Sequence, residues 1–353
     1  MDIPDLEKKL AQCKNDGKEK AEILIKLSKA NSKISPEKAI EYGKQALELS
    51  TEINDEKVKV KALINIGKIY RSLCDYNKAL QYHLKALKIY EIIIDKKGAA
   101  NCLNNIGIIY RKLSNCDKSL EYFLKALKIN KEIKDKKSTT ISLYNIGIAY
   151  KRLSNYENSL HYHLESCKIC EDIGDKKGIA HSYICIGNIY LFLNNDNKAL
   201  EYYKKSLNMM KATDDKMGIA YSLNNIGIIF KKQKNYDKAL EYYSKTLKIF
   251  EEIDNKDIGV ALSNVGNIHE HLKNYDKALE YHFKALKTFK EIANKWQIAR
   301  VFPNIARIFT KVNNFKKSHS YLEQGLILAK KINAKDLIRD NYEIFSDLYA
   351  KSL

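Results

Sequence analysis

Proline is nearly absent from this 353-residue sequence and glycine is sparse, with three and 14 residues respectively. That scarcity argues against an all-β fold, a Pro/Gly linker or a disordered tail. Tryptophan occurs once, so aromatic packing falls mainly to 24 tyrosines. No apolar run approaches the roughly 18 residues of a membrane span. The opening MDIPDLEKKLAQCKNDGKEK lacks the apolar segment of a secretory signal. The seven cysteines are odd in number and irregular in spacing, which fits a reducing cytoplasm better than a disulfide framework.

Catalytic signatures are missing as well. The sequence contains no P-loop, GxGxxG, GxSxG or triad spacing. Its carboxylates are scattered among lysines. HEH at 269–271 lacks the i, i+4 spacing that puts two metal ligands on one helical face. CKIC at 167–170 is a lone CxxC without a second pair. Neither an enzyme, a cofactor nor a metal site is expected.

Charge is what the sequence has in excess. Lys and Arg number 62 against 43 Asp and Glu, a formal +19. A basic surface suggests acidic partners. The excess is mostly lysine, spread along the chain beside much Ile, Asn and Tyr, as an AT-rich coding sequence would give. No block of five consecutive basic residues occurs.

The sequence is also strictly periodic. Gly67, Gly107, Gly147, Gly187 and Gly227 stand 40 residues apart; Gly266 follows after 39 and Ala306 after 40. Tyrosine keeps the same beat at Tyr42, Tyr82, Tyr122, Tyr162, Tyr202, Tyr242, Tyr281 and Tyr321. A small residue precedes each by three, from Ala39 and Ala79 through Ser119 to Ser318. Each period reads as two helices. Leu103, Ile106, Gly107 and Tyr110 share one face of the first; Leu120, Phe123, Leu124 and Leu127 lie on the second. Asn115 and its equivalents Asp75, Asn155, Asn195, Asn235, Asn274 and Asn314 are N-caps for the second helix; Ser35 followed by Pro36 does the same in the first period. Asp135 and Asp175 are placed to cap first helices. A glycine inside a helix costs about 1 kcal/mol relative to alanine, so the recurrent glycine predicts close approach between helices. His83, His163 and His282 take the slot held by Phe123 or Tyr203 and are expected to line the core.

The fold class expected is all-α: eight antiparallel hairpins over 18–332, a short N-terminal helix within 1–17 covering 3–12, and a capping helix over 333–353. Leu337, Tyr342, Phe345 and Leu348 are expected to cover the last hairpin.

The pattern small–x–x–Tyr, then Ala–x–x–x–aromatic–x–x–Ala, resembles tetratricopeptide repeats; here it is Gly107 and Tyr110, then Ser119, Phe123 and Ala126. The likeness covers about 315 residues. Its period departs from the usual length of about 34 and is similar to a long-period branch that includes polarity adaptors, kinesin light chains and bacterial sensory modules. The resemblance implies a right-handed α-solenoid superhelix whose first helices line a concave groove.

On a helical wheel at about 100° per residue, Asn105 lies roughly opposite the core direction. Asn65, Asn145, Asn225, Asn264 and Asn304 share its slot; the fifth period has Cys185 there, with Asn188 one turn on. An amide both donates and accepts, and in related repeats asparagine at this slot contacts ligand backbone. The ladder is therefore expected to bind peptide, with structural bridging between first helices as the alternative. Arg71, Arg111, Lys112, Lys151, Arg152, Lys231, Lys232 and Arg307 flank it, with Ile108, Ile148 and Ile228 interleaved.

The expected function is a cytoplasmic, non-catalytic scaffold that binds an acidic peptide with apolar anchors. A second reading is the regulatory half of a bacterial signalling protein whose output domain is absent. A third is nucleic-acid binding through distributed charge, disfavoured because basic and aromatic residues show no common pattern. The tail helix favours a monomer.

Overall fold

A computed structural model describes residues 2–13 and 17–352. Among them are eighteen α-helices and no strand. A short α1 (Ile3–Gln12) precedes the hairpins. The chain divides into two compact units, Met1–Gly178 and Ile179–Leu353.

In the first unit α2 (Gly17–Asn31) pairs with α3 (Pro36–Glu52), α4 (Glu56–Ser72) with α5 (Tyr76–Ile92), α6 (Lys96–Lys112) with α7 (Cys116–Glu132), and α8 (Lys136–Arg152) with α9 (Tyr156–Asp172). Helix α10 (Lys176–Phe192) lies mostly in the second unit and is followed there by α11 (Asp196–Ala212). Next, α12 (Lys216–Lys232) pairs with α13 (Tyr236–Glu252), α14 (Ile258–His271) with α15 (Tyr275–Glu291), and α16 (Lys295–Lys311) with α17 (Phe315–Lys331), before α18 (Lys335–Ser352).

The junctions explain the even helix lengths. At the end of α4, Leu73 closes the helix and Cys74 turns into the left-handed region at φ 61°. The Cys74 N–H bonds to Arg71 O at 3.1 Å and the Asp75 N–H to Tyr70 O at 3.0 Å, a Schellman ending. Asp75 then caps α5, its carboxylate accepting the Lys78 N–H at 3.1 Å. One residue thus finishes a helix and begins the next. Asn115, Asn155, Asn195, Asn235 and Asn314 cap in the same way. Ser35 and Asn274 sit at the cap position without the side-chain bond. Asp135 and Asp175 cap first helices through Ser138 N–H at 2.9 Å and Gly178 N–H at 3.0 Å.

From the second hairpin to the seventh, the glycine slot meets the ring slot inside the hairpin. A methyl carbon on Gly107 would lie 2.5 Å from the Phe123 ring, and one on Gly187 would lie 2.6 Å from Tyr203. Gly67, Gly147 and Gly266 face His83, His163 and His282 in the same way, and those three rings are buried as expected. The first hairpin has Leu27 in the glycine slot and Gly43 in the ring slot, and a methyl carbon on Gly43 would meet Ile66 of α4 at 2.7 Å. Where glycine faces a ring, one large and one small residue share the site.

At the end of the second unit Leu337, Ile344 and Leu348 of α18 are buried, with Phe345 packed beside them. Tyr342 is 51% exposed, contrary to expectation, because the helix turns Asn341 and Ile344 inward instead.

Candidate binding site on the first helices

The amide slot lies on α4, α6 and α8 in the first unit. Asn65 is buried at 5% exposure, and its Nδ2 donates to Ser28 Oγ of α2 at 2.6 Å. Asn105 is half-buried; its Oδ1 accepts from Arg71 Nη1 of α4 at 3.2 Å and its Nδ2 donates to Asn101 O at 3.0 Å. Asn145, also 5% exposed, makes no side-chain hydrogen bond among the described residues. Asn104, one residue before the slot, donates to Ser142 Oγ of α8 at 3.0 Å. Arg152 Nη1 donates to Arg111 O at the end of α6 at 3.2 Å, while Lys112 is exposed.

The second unit repeats the theme with other partners. Asn188 Oδ1 accepts the Tyr203 hydroxyl at 2.7 Å. Asn225 is half-buried and makes no side-chain hydrogen bond among the described residues. Asn264 Nδ2 donates to Asn224 Oδ1 of α12 at 2.8 Å. Asn304 Oδ1 accepts from Arg307 Nη2 at 3.0 Å. Lys232 is directed to the start of α11, pairing with Asp196 at 2.7 Å and Asn194 Oδ1 at 3.0 Å. Asn65 and Asn105 in the first unit and Asn264 in the second thus tie successive first helices together, while Asn145 and Asn225 make no side-chain hydrogen bond.

Helices α12, α14 and α16 line a cavity of about 520 Å³. It gathers Asn264, Asn304 and Arg307 of the ladder with Lys231, Asn267, Glu270, His271, Arg300 and Lys311. Glu270 is 5% exposed, and its oxygens accept from Arg307 Nε at 2.8 Å, Arg307 Nη2 at 3.1 Å and Lys311 Nζ at 2.8 Å. Burial opposes its charge, but Arg307 and Lys311 outweigh burial and hold its pKa below the usual carboxylate range. The pKa of Lys231 is lowered as well, by burial and then by Arg300 and Arg307. Burial lowers the pKa of Arg300 too, and its guanidinium stacks over Trp296 at 5.2 Å.

Changes at two slots of the repeat bring polar and charged residues to this cavity. One residue after the glycine stand Ile108, Ile148 and Ile228, half-buried; the last two periods have Asn267 and Arg307 there. Four residues after it stand Arg71, Arg111, Lys151 and Lys231, whereas the seventh period has Glu270. That charge reversal was the signal that sequence reasoning passed over, together with Arg300 at the slot of Asn101.

Among the described residues no cluster of three or more His, Cys, Asp or Glu is arranged to hold a metal ion. No helix there is long and apolar enough to cross a membrane.

Six stretches, the first five overlapping in series, match a family described as tetratricopeptide repeat: 35–92, 59–132, 98–172, 138–212, 178–252 and 257–331. The chain belongs to the tetratricopeptide repeat family. Among curated proteins, none matches its sequence. Solved structures share its fold at low identity. The apo quorum sensor NprR from B. thuringiensis is 16% identical with TM-score 0.65, over 90% of either chain. A Rap protein complexed with Competence and Sporulation Factor is 15% identical with TM-score 0.63, over 96% of this chain and 92% of that one. A Signal Transduction ATPase with Numerous Domains from Pyrococcus horikoshii, with a tetratricopeptide repeat sensor, is 20% identical with TM-score 0.62, over 91% of this chain and 50% of that one. Membership of the tetratricopeptide repeat family supports a role in protein–protein interaction or regulation.

Proposed function

We propose that the protein is a non-catalytic interaction scaffold, and that the amide-bearing surface of its first helices binds an extended or helical peptide that is acidic with apolar anchors. The reading rests on Asn225, a half-buried amide in the ladder slot that no neighbouring side chain takes up. It offers donor and acceptor groups that a peptide backbone can pair with whatever its side chains. Arg71, Arg111, Lys112 and Arg152 add positive charge beside the ladder, complementary to carboxylates. Asn65, Asn105 and Asn264 serve chiefly to bridge helices.

The test is to replace Asn225 by alanine and measure capture of partners from lysate. Loss of capture with unchanged helix content and melting supports the reading; undiminished capture overturns it.

A second reading is the sensory part of a signalling system. It is favoured by the fold shared with the quorum sensor NprR and with the Rap protein found with Competence and Sporulation Factor. Sequencing the gene and its neighbours for an output enzyme or regulator separates it from a stand-alone scaffold.

A further inference from the structure

The cavity of the second unit carries charge that its own residues do not balance. Four cations, Lys231, Arg300, Arg307 and Lys311, line it against one carboxylate, Glu270. Burial lowers the pKa of His271 at its edge and so favours the neutral ring. Arg307 and Lys311 are committed to Glu270. Lys231 and Arg300 make no ion pair among the described residues. Cations withdrawn from water without a counter-charge are costly. Stacking on Trp296 occupies one face of the Arg300 guanidinium and leaves its N–H edge for an oxyanion.

We infer that this cavity binds a phosphoryl dianion through Lys231 and Arg300. A phosphate monoester carries about −1.5 to −2 charges at neutral pH and three acceptor oxygens, enough to cancel both free cations where a single carboxylate cancels one. Glu270 already fills the place of a single carboxylate beside Arg307 and Lys311. Asn267 adds a requirement on the carrier: its Oδ1 is buried with no hydrogen-bond partner. A bound molecule that brings an N–H beside the phosphoryl group satisfies it, as a phosphorylated peptide does and inorganic phosphate does not. The inference deepens the proposed peptide-binding reading and rests on it only for the source of the phosphoryl group.

The experiment is calorimetric titration of the full chain with inorganic phosphate, sulfate, acetate and N-acetyl-phosphoserine methylamide. Phosphate and sulfate are expected to bind at least tenfold more tightly than acetate. The double variant K231Q R300Q is expected to lose at least tenfold in phosphate affinity, while K88Q K128Q, at exposed positions of α5 and α7, loses none. E270Q, which removes the competing carboxylate and keeps its shape, is expected to bind phosphate severalfold more tightly. Circular dichroism confirms that each variant is folded.

Acetate binding equal to sulfate, or phosphate affinity retained in K231Q R300Q, overturns the inference. So does absence of phosphate binding to the unmodified chain. Tighter binding of the phosphoserine amide than of phosphate identifies a peptide as the source; equal binding identifies a small phosphate compound. These probes carry no partner sequence, so their failure leaves the capture experiment standing, and failed capture leaves this titration standing.

Discussion

Ala306 packs in one buried cluster with Leu322, at the two positions where earlier hairpins set a glycine against a ring. The eighth period has given up the ring and gained a methyl group. The exchange shows that the glycine is kept for room rather than for backbone freedom, since none of these helical glycines has positive φ.

Gly107→Ala is therefore expected to destabilise the protein by about 1–3 kcal/mol through overpacking against Phe123, even though alanine is the better helix former by about 1 kcal/mol. The double variant G107A F123L recreates the Ala306–Leu322 pair and is expected to be more stable than G107A alone. Urea unfolding followed by circular dichroism measures both. A stabilised G107A contradicts the packing account.

Acid should weaken the fold through its buried imidazoles. The pKa of His83 is pushed down to about 4 by burial, then by Arg71 and Lys68. His163 is likewise at about 4 through burial and Lys151. His282 also falls to about 4, with burial the largest cause, Glu270 opposing it, and Arg307 and Arg300 adding to it. An unfolded histidine titrates near 6.5. Between those values the unfolded chain takes up protons that the folded chain refuses, so stability is full above pH 6.5 and declines as pH falls toward 4. Each ring accounts for up to about 3 kcal/mol. Melting temperatures measured from pH 7 to pH 4 are expected to fall less steeply for His163→Phe, which copies Phe123. An unchanged slope would mean that the ring is not buried neutral.

Ile94 ends α5 in the left-handed region at φ 55° and is 79% exposed. A β-branched residue is strained there, whereas asparagine adopts this conformation readily, as Asn54 does at φ 53°. Ile94→Asn is expected to stabilise by about 1 kcal/mol, read as a raised urea midpoint at unchanged slope.

Much of this architecture was legible in the sequence because its causes are local. Asp75 and its equivalents cap helices through atoms three residues away, and the glycine and ring slots meet across a single hairpin. The site was legible only as a set of positions. Whether Asn65 is spent on Ser28 while Asn145 makes no side-chain hydrogen bond depends on side chains about 40 residues distant and on how deeply each helix is set. The basic cavity needed three helices at once. Its marker, Glu270 where other periods place Arg71 or Lys231, stood in the sequence as a broken pattern whose meaning came only with Arg307 and Lys311 beside it.

Most of the size matching is contained within single hairpins, so duplication or deletion of a whole period leaves the ring and its glycine together. That makes the gene tolerant of recombination in whole-period steps. The exception is the seventh and eighth periods. Glu270 comes from one and its two cations from the other, so separating them would strand a carboxylate on one side and its cations on the other. Lineages that gain or lose periods should therefore keep these two adjacent.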